Sequence, residues 1–139
     1  MRHTLRVLSM AALCSSCVQL PPSPADIQAK RFEPIADKAV IYVVRQPMDS
    51  REPGGLMLEN GEQITTFRGT YWRWEVAPGP HRIMNFGPGH ATLELDTQPG
   101  RIYFVRHTVI GTPRTGPLIA ALAPISEEQG RRLVASSEL

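Results

Sequence analysis

From residue 38 onward the apolar positions fall in short runs with a period of two, broken by glycine, proline and asparagine. Lys38–Arg45, KAVIYVVR, is apolar almost throughout, the pattern of a central strand covered on both faces. A loop over 46–55 leads to LMLENGEQITTF (56–67). There Asn60-Gly61 predicts a hairpin turn with both residues at positive φ. TYWRWEVA (70–77) alternates strictly: Trp72, Trp74 and Val76 share one face, and Tyr71, Arg73 and Glu75 share the other. Pro78-Gly79 turns the chain into HRIMNF (81–86), and Gly87-Pro88-Gly89 turns it into ATLELDT (91–97), with Leu93 and Leu95 inward. After Gln98-Pro99-Gly100, RIYFVRHTVI (101–110) is the longest strand. PLIAALAPI (117–125) reads as a last strand or a buried segment. Ser126 with Gln129 has the capping pattern that opens a short helix, whose Gly130 requires support from packing.

Short strands at this spacing with Gly/Pro turns predict a mainly β fold, an antiparallel sandwich with a short C-terminal helix. Gly79 and Gly100 are expected at positive-φ turn positions, and Tyr42, Arg45 and Tyr103 as packing or corner residues.

The N-terminal region follows a different logic. Arg2 and Arg6 precede an apolar stretch from Leu5 to Leu13, which is about half of the ~20 residues a membrane-crossing helix needs. Charged start, apolar middle and small residues are the order of an export signal. Both cysteines follow, as Cys14-Ser15-Ser16-Cys17. A metal or redox reading of this pair lacks further ligands and a helix N-terminus to lower a thiol pKa. Ser15-Ser16 before Cys17 resembles the lipobox of bacterial lipoproteins. That resemblance implies residues 1–16 as signal peptide, acylation at Cys17, and, with Val18 following, an outer-membrane position facing the periplasm. An ordinary cleaved signal is the alternative. Residues 17–36 read as lipidated N-terminus and tether, with one helical turn in PADIQAKRFEP, and 37–139 as the folded domain.

Composition narrows the function classes. Of fifteen Lys and Arg residues, Arg2 and Arg6 belong to the leader, and the remainder balances the thirteen Asp and Glu. Nucleic-acid binding, which needs clustered positive charge, has no footprint. The mature serines Ser23, Ser50, Ser126, Ser136 and Ser137 lie in tether, loop, cap and tail, outside any nucleophile elbow. His81, His90 and His107 are the histidines from which a metal site would be drawn, and their spacing is poor for one.

The ordered set KAVIYVVR, ENGE, APGPH and QPGRIYFV is similar to a family of small bacterial lipoproteins with a domain of unknown function, akin to PEGA-like and carboxypeptidase-regulatory-like sandwiches. The resemblance spans about residues 38–130. It implies a transthyretin-like or immunoglobulin-like sandwich without catalytic residues or cofactor. Three functional readings follow. The first is a non-enzymatic envelope lipoprotein binding a protein partner or envelope component. The second is a secreted glycan- or ligand-binding module using an outward Trp72/Trp74 face, although Val76 beside them favours core. The third is a metal-dependent envelope enzyme. With the indoles inward, Tyr71 and Arg73 are the expected surface contact pair.

Overall fold

The computed structural model describes residues 21–86, 91–112, 114, 116 and 118–139. Eight strands form two sheets: β1 (Ala39–Val44), β2 (Gly54–Leu58), β3 (Gln63–Thr66), β4 (Tyr71–Val76), β5 (Gly79–Phe86), β6 (Thr92–Thr97), β7 (Ile102–Ile110) and β8 (Ile119–Ile125). Two helices flank them, α1 (Pro24–Ala29) and α2 (Glu127–Ala135). The first sheet has the order β4-β1-β7-β8 and the second β3-β2-β5-β6. The expected β-sandwich is present, and Ile119–Ile125 forms its edge strand β8.

One pairing departs from the expected antiparallel pattern. β1 runs parallel to β7, with Tyr42 opposite Phe104, while all other neighbours are antiparallel. The crossover between them carries the whole second sheet, so no hairpin constrains their relative direction.

The all-apolar β1 accounts for the layering. Its inner residues Ala39, Ile41 and Val43 join Leu56, Leu58, Ile83 and Val105 between the sheets. Its outer residues Val40, Tyr42 and Val44 join Ala29, Tyr71, Phe104 and Val134 beneath the helices. Every residue of β1 is buried. The molecule thus has a helical layer over a two-sheet sandwich.

That outer layer corrects the reading of 17–36 as a tether. Ser23 caps α1, its Oγ accepting from the Asp26 amide at 3.1 Å, with Pro24 in the first turn. Asp26 and Ala29 are buried, and the Tyr42 hydroxyl donates to the Ala29 carbonyl at 2.6 Å. The folded body therefore takes in Ser23 and α1 rather than starting at residue 37.

Local chemistry follows the expected turns with one exception. Gly79 and Gly100 have φ of 133° and 70°. In the β2–β3 hairpin Gly61 takes φ 83°, but Asn60 does not enter the positive region. Its side chain instead accepts from the Glu62 amide at 3.0 Å, an Asx turn within a longer loop. Ser126 caps α2 through the Gln129 amide, as its pattern predicts. Gly130 is the contact point of α2: a Cβ there would lie 2.1 Å from Phe104 Cγ.

Candidate functional site

Strand β4 carries the residues singled out from the sequence, and it lies at the edge of its sheet. Trp72 and Trp74 pack against the inter-sheet core, their rings stacked at 5.7 Å, and His81 meets Trp74 edge-on at 5.3 Å. The indoles face inward, so the outward platform that glycan stacking requires does not form.

Tyr71 and Arg73 do face the other way, but this side is covered. Tyr71 is buried under α1 and the C-terminus, and its hydroxyl donates to Asp26 Oδ1 at 2.8 Å. Asp26 also accepts from Lys30 Nζ at 2.9 Å and from the Leu139 amide at 3.2 Å. Burial pushes the Asp26 carboxyl up, but Lys30 and Tyr71 outweigh it and hold it below its ordinary range. Burial and the adjacent Asp26 push the Tyr71 phenol above its own. Arg73 donates to the Tyr42 hydroxyl at 3.2 Å and pairs with Glu75. The expectation of a surface contact pair is thus overturned for Tyr71, which is half of a clasp holding α1 and the chain end to the sheet.

At the C-terminal end of β1 lies a second polar cluster. Arg45 is fully buried. Its guanidinium donates to the carbonyls of Ser50 at 2.7 Å, Glu52 at 2.9 Å and Thr66 at 2.9 Å, and pairs with Asp49 at 3.4 Å. Asp49 in turn accepts from the Val109 amide at 3.1 Å, and Ser50 Oγ donates to the Gly111 carbonyl at 2.8 Å. Loop 46–53 is therefore fastened to the end of β3 by a planar cation that satisfies three carbonyls at once, and to the end of β7 through Asp49 and Ser50. Beside it an open groove of about 750 Å³ runs between Met48 and Arg51 on one wall and Ile110 and Arg114 on the other.

His107 stands behind this cluster, between the sheets. Its Nδ1 lies 2.9 Å from Thr66 Oγ1, and its Nε2 has no protein partner. Burial, with a smaller contribution from Arg45, pushes its pKa down to about 4, so the ring is neutral near neutral pH. A hydroxyl against an imidazole has the spacing of a nucleophile and its base. Both groups are sealed from solvent, however, and no substrate carbonyl can approach them.

His81 is engaged elsewhere, Nδ1 against Glu59 at 2.7 Å and Nε2 against the Ala77 carbonyl at 2.6 Å. It shares no ligand geometry with His107, and among the described residues no group of three or more His, Cys, Asp or Glu could hold a metal ion. His90, Cys14 and Cys17 lie outside the described residues. Among those residues no helix is long and apolar enough to cross a membrane.

Two features escaped the sequence reading. Asp26 sat in a stretch taken for tether, although Ser23-Pro24 just before it is a helix-start signal. Arg45 reads from the sequence only as a packing or corner residue; a charge closing a fully apolar strand is the available sign of a buried ion pair. No protein-family model matches the chain, and no curated protein matches it significantly.

Proposed function

We propose that this chain is a non-enzymatic lipoprotein of the bacterial envelope, anchored through acylated Cys17 in the outer membrane and facing the periplasm, with the sandwich binding a protein partner or envelope component. The observation carrying this reading is the order at the N-terminus: Arg2 and Arg6, an apolar run to Leu13, Ser15-Ser16 before Cys17, then a capped helix at Ser23. Two or three acyl chains hold a protein firmly where one holds it marginally, since each buried methylene contributes about 0.8 kcal/mol.

A binding role fits the chemistry of the body. Arg45, Asp26, Tyr71 and the Thr66–His107 pair, the buried polar groups with most elaborate partners, join one segment to another rather than facing a substrate. The outermost strands β3 and β6 of the second sheet offer edges to which a partner can add a strand.

The test is the mass of the N-terminal peptide of protein extracted from envelope, for wild type and Cys17→Ala. Diacyl- or triacyl-cysteine at position 17, lost in the variant, is the expected result. An unmodified N-terminus beyond residue 17, or an intact Cys14–Cys17 pair, would overturn it.

A further inference from the structure

One end of the sandwich gathers exposed apolar side chains from five separate segments. Met48 is 93% exposed, Ile110 60%, Ile119 53%, Phe67 52% and Phe86 43%. Register places them at the same end, Phe86 on the outer face of the second sheet and Ile110 and Ile119 on that of the first. Ile110 pairs with Ile119 at the end of β7, and Phe86 pairs with Gly55 at the start of β2. Phe67 follows β3, and Met48 lies in the loop that Arg45 fastens to both sheets. The opposite end, with the Asn60 hairpin, Pro78 and Gln98, carries no exposed large apolar residue among those described.

Three arginines stand at the apolar end, with the carboxylates of Glu52 and Glu138 also there. Arg51, Arg68 and Arg114 are exposed there and make no ion pair with described residues. Apolar tips with arginines in excess over carboxylates suit a surface that rests in a bilayer interface, with carbon among the upper acyl chains and guanidinium at the phosphates.

The described residues also start at this end. Asp26 binds Tyr71, which pairs with Val44 immediately before Arg45, whereas Ala29 lies further along the sheet at Tyr42. Helix α1 therefore runs away from the apolar end, and Ser23 lies on the near side. From Cys17 to Ser23 six residues reach at most about 21 Å when fully extended. An anchor at Cys17 holds this end, rather than the opposite one, against the membrane.

We propose that the end of the sandwich bearing Met48, Phe67, Phe86, Ile110 and Ile119 is a bilayer-contact surface, its arginines meeting anionic lipid headgroups. The orientation rests on the lipoprotein reading above; the composition of the surface does not.

The experiment adds one labelling cysteine at either end of the full-length protein, Ile110→Cys or Gln98→Cys, each carrying an environment-sensitive fluorophore, with the wild type labelled alongside so that any signal from Cys14 and Cys17 is subtracted. Both side chains are exposed, and an unchanged unfolding midpoint checks that each variant keeps the fold. The protein is reconstituted in vesicles of phosphatidylethanolamine and phosphatidylglycerol containing a quencher-bearing lipid. Quenching at 110 at least about threefold that at 98, and diminished when phosphatidylglycerol is omitted, is the expected result. Equal, water-like emission at both positions overturns the proposal. So does shielding of 110 in envelope fragments but not in protein-free vesicles, which would assign the end to a protein partner. The N-terminal mass of the same sample separates the two readings. Acylated protein with an unshielded 110 sinks the orientation alone, and unacylated protein with 110 shielded by added vesicles sinks the anchor alone.

Discussion

The Tyr71 hydroxyl and the Asp26 carboxylate meet at 2.8 Å, joining the first turn of α1 to the edge strand of a sheet 45 residues away. Lys30 and the Leu139 amide converge on the same carboxylate, so one acid fastens both ends of the described chain. Asp26→Ala leaves Tyr71, Lys30 and the Leu139 amide without their acceptor and is expected to cost about 1–3 kcal/mol in urea unfolding. Tyr71→Phe, which leaves Lys30 in place, should cost less. Because the folded carboxyl titrates below its ordinary value of 3.8, its contribution is present above that value and lost as pH falls through the folded pKa.

Arg45 presents the opposite polarity, a buried cation among carbonyls. Arg45→Met removes the charge but abandons the Ser50, Glu52 and Thr66 carbonyls and the buried Asp49. A loss of about 3–5 kcal/mol is expected, of the size seen when one partner of a buried pair is removed. Limited proteolysis should show new cleavage within 46–53. Protection there as in wild type would mean that Asp49 and Ser50 hold the loop without the guanidinium.

His107 makes stability depend on pH in a defined window. Its pKa is about 4 in the fold and 6.5 when unfolded, so between these values the unfolded chain binds more protons and stability rises with pH. The full difference is about 3 kcal/mol, developed as pH falls from about 7 to 4. Asp26, Glu59 and Glu75, all held below their ordinary values, act only at lower pH. Urea midpoints at several pH values should therefore show a slope between pH 5 and 6.5 that His107→Leu flattens.

Gly130 tests whether packing or propensity governs α2. In an exposed helix Gly→Ala gains about 1 kcal/mol. Here the added Cβ overlaps the Phe104 side chain, and the helix must lift from the sheet. Gly130→Ala should destabilise by about 1–3 kcal/mol in thermal or urea unfolding. A stabilised variant would show that α2 is only loosely seated.

Strand identity was legible because it is local. Period-two alternation in 71–76 placed Trp72 and Trp74 on one face, with Val76 beside them favouring the core where they lie, and the unbroken apolar run of 39–44 placed a strand covered on both sides. Caps and turns were legible for the same reason, since Ser126, Gly79 and Gly100 act within a few residues of themselves. The clasp and the buried cation were not. Asp26 and Tyr71, or Arg45 and Thr66, carry no mark of each other along the chain, and alternation alone leaves the face of Tyr71 looking like a solvated one.

By itself, then, the sequence determined most of the strands, their alternation and the cap of α2, all set by neighbours within a turn or a hairpin. Only the tertiary structure decided that β1 lies parallel to β7, that α1 covers the outer face, and which polar groups are buried against which. It also decided that five scattered apolar residues share one end of the sandwich. Those outcomes depend on contacts between distant segments, where burial and hydrogen-bond partners are settled by how the layers close rather than by any local pattern.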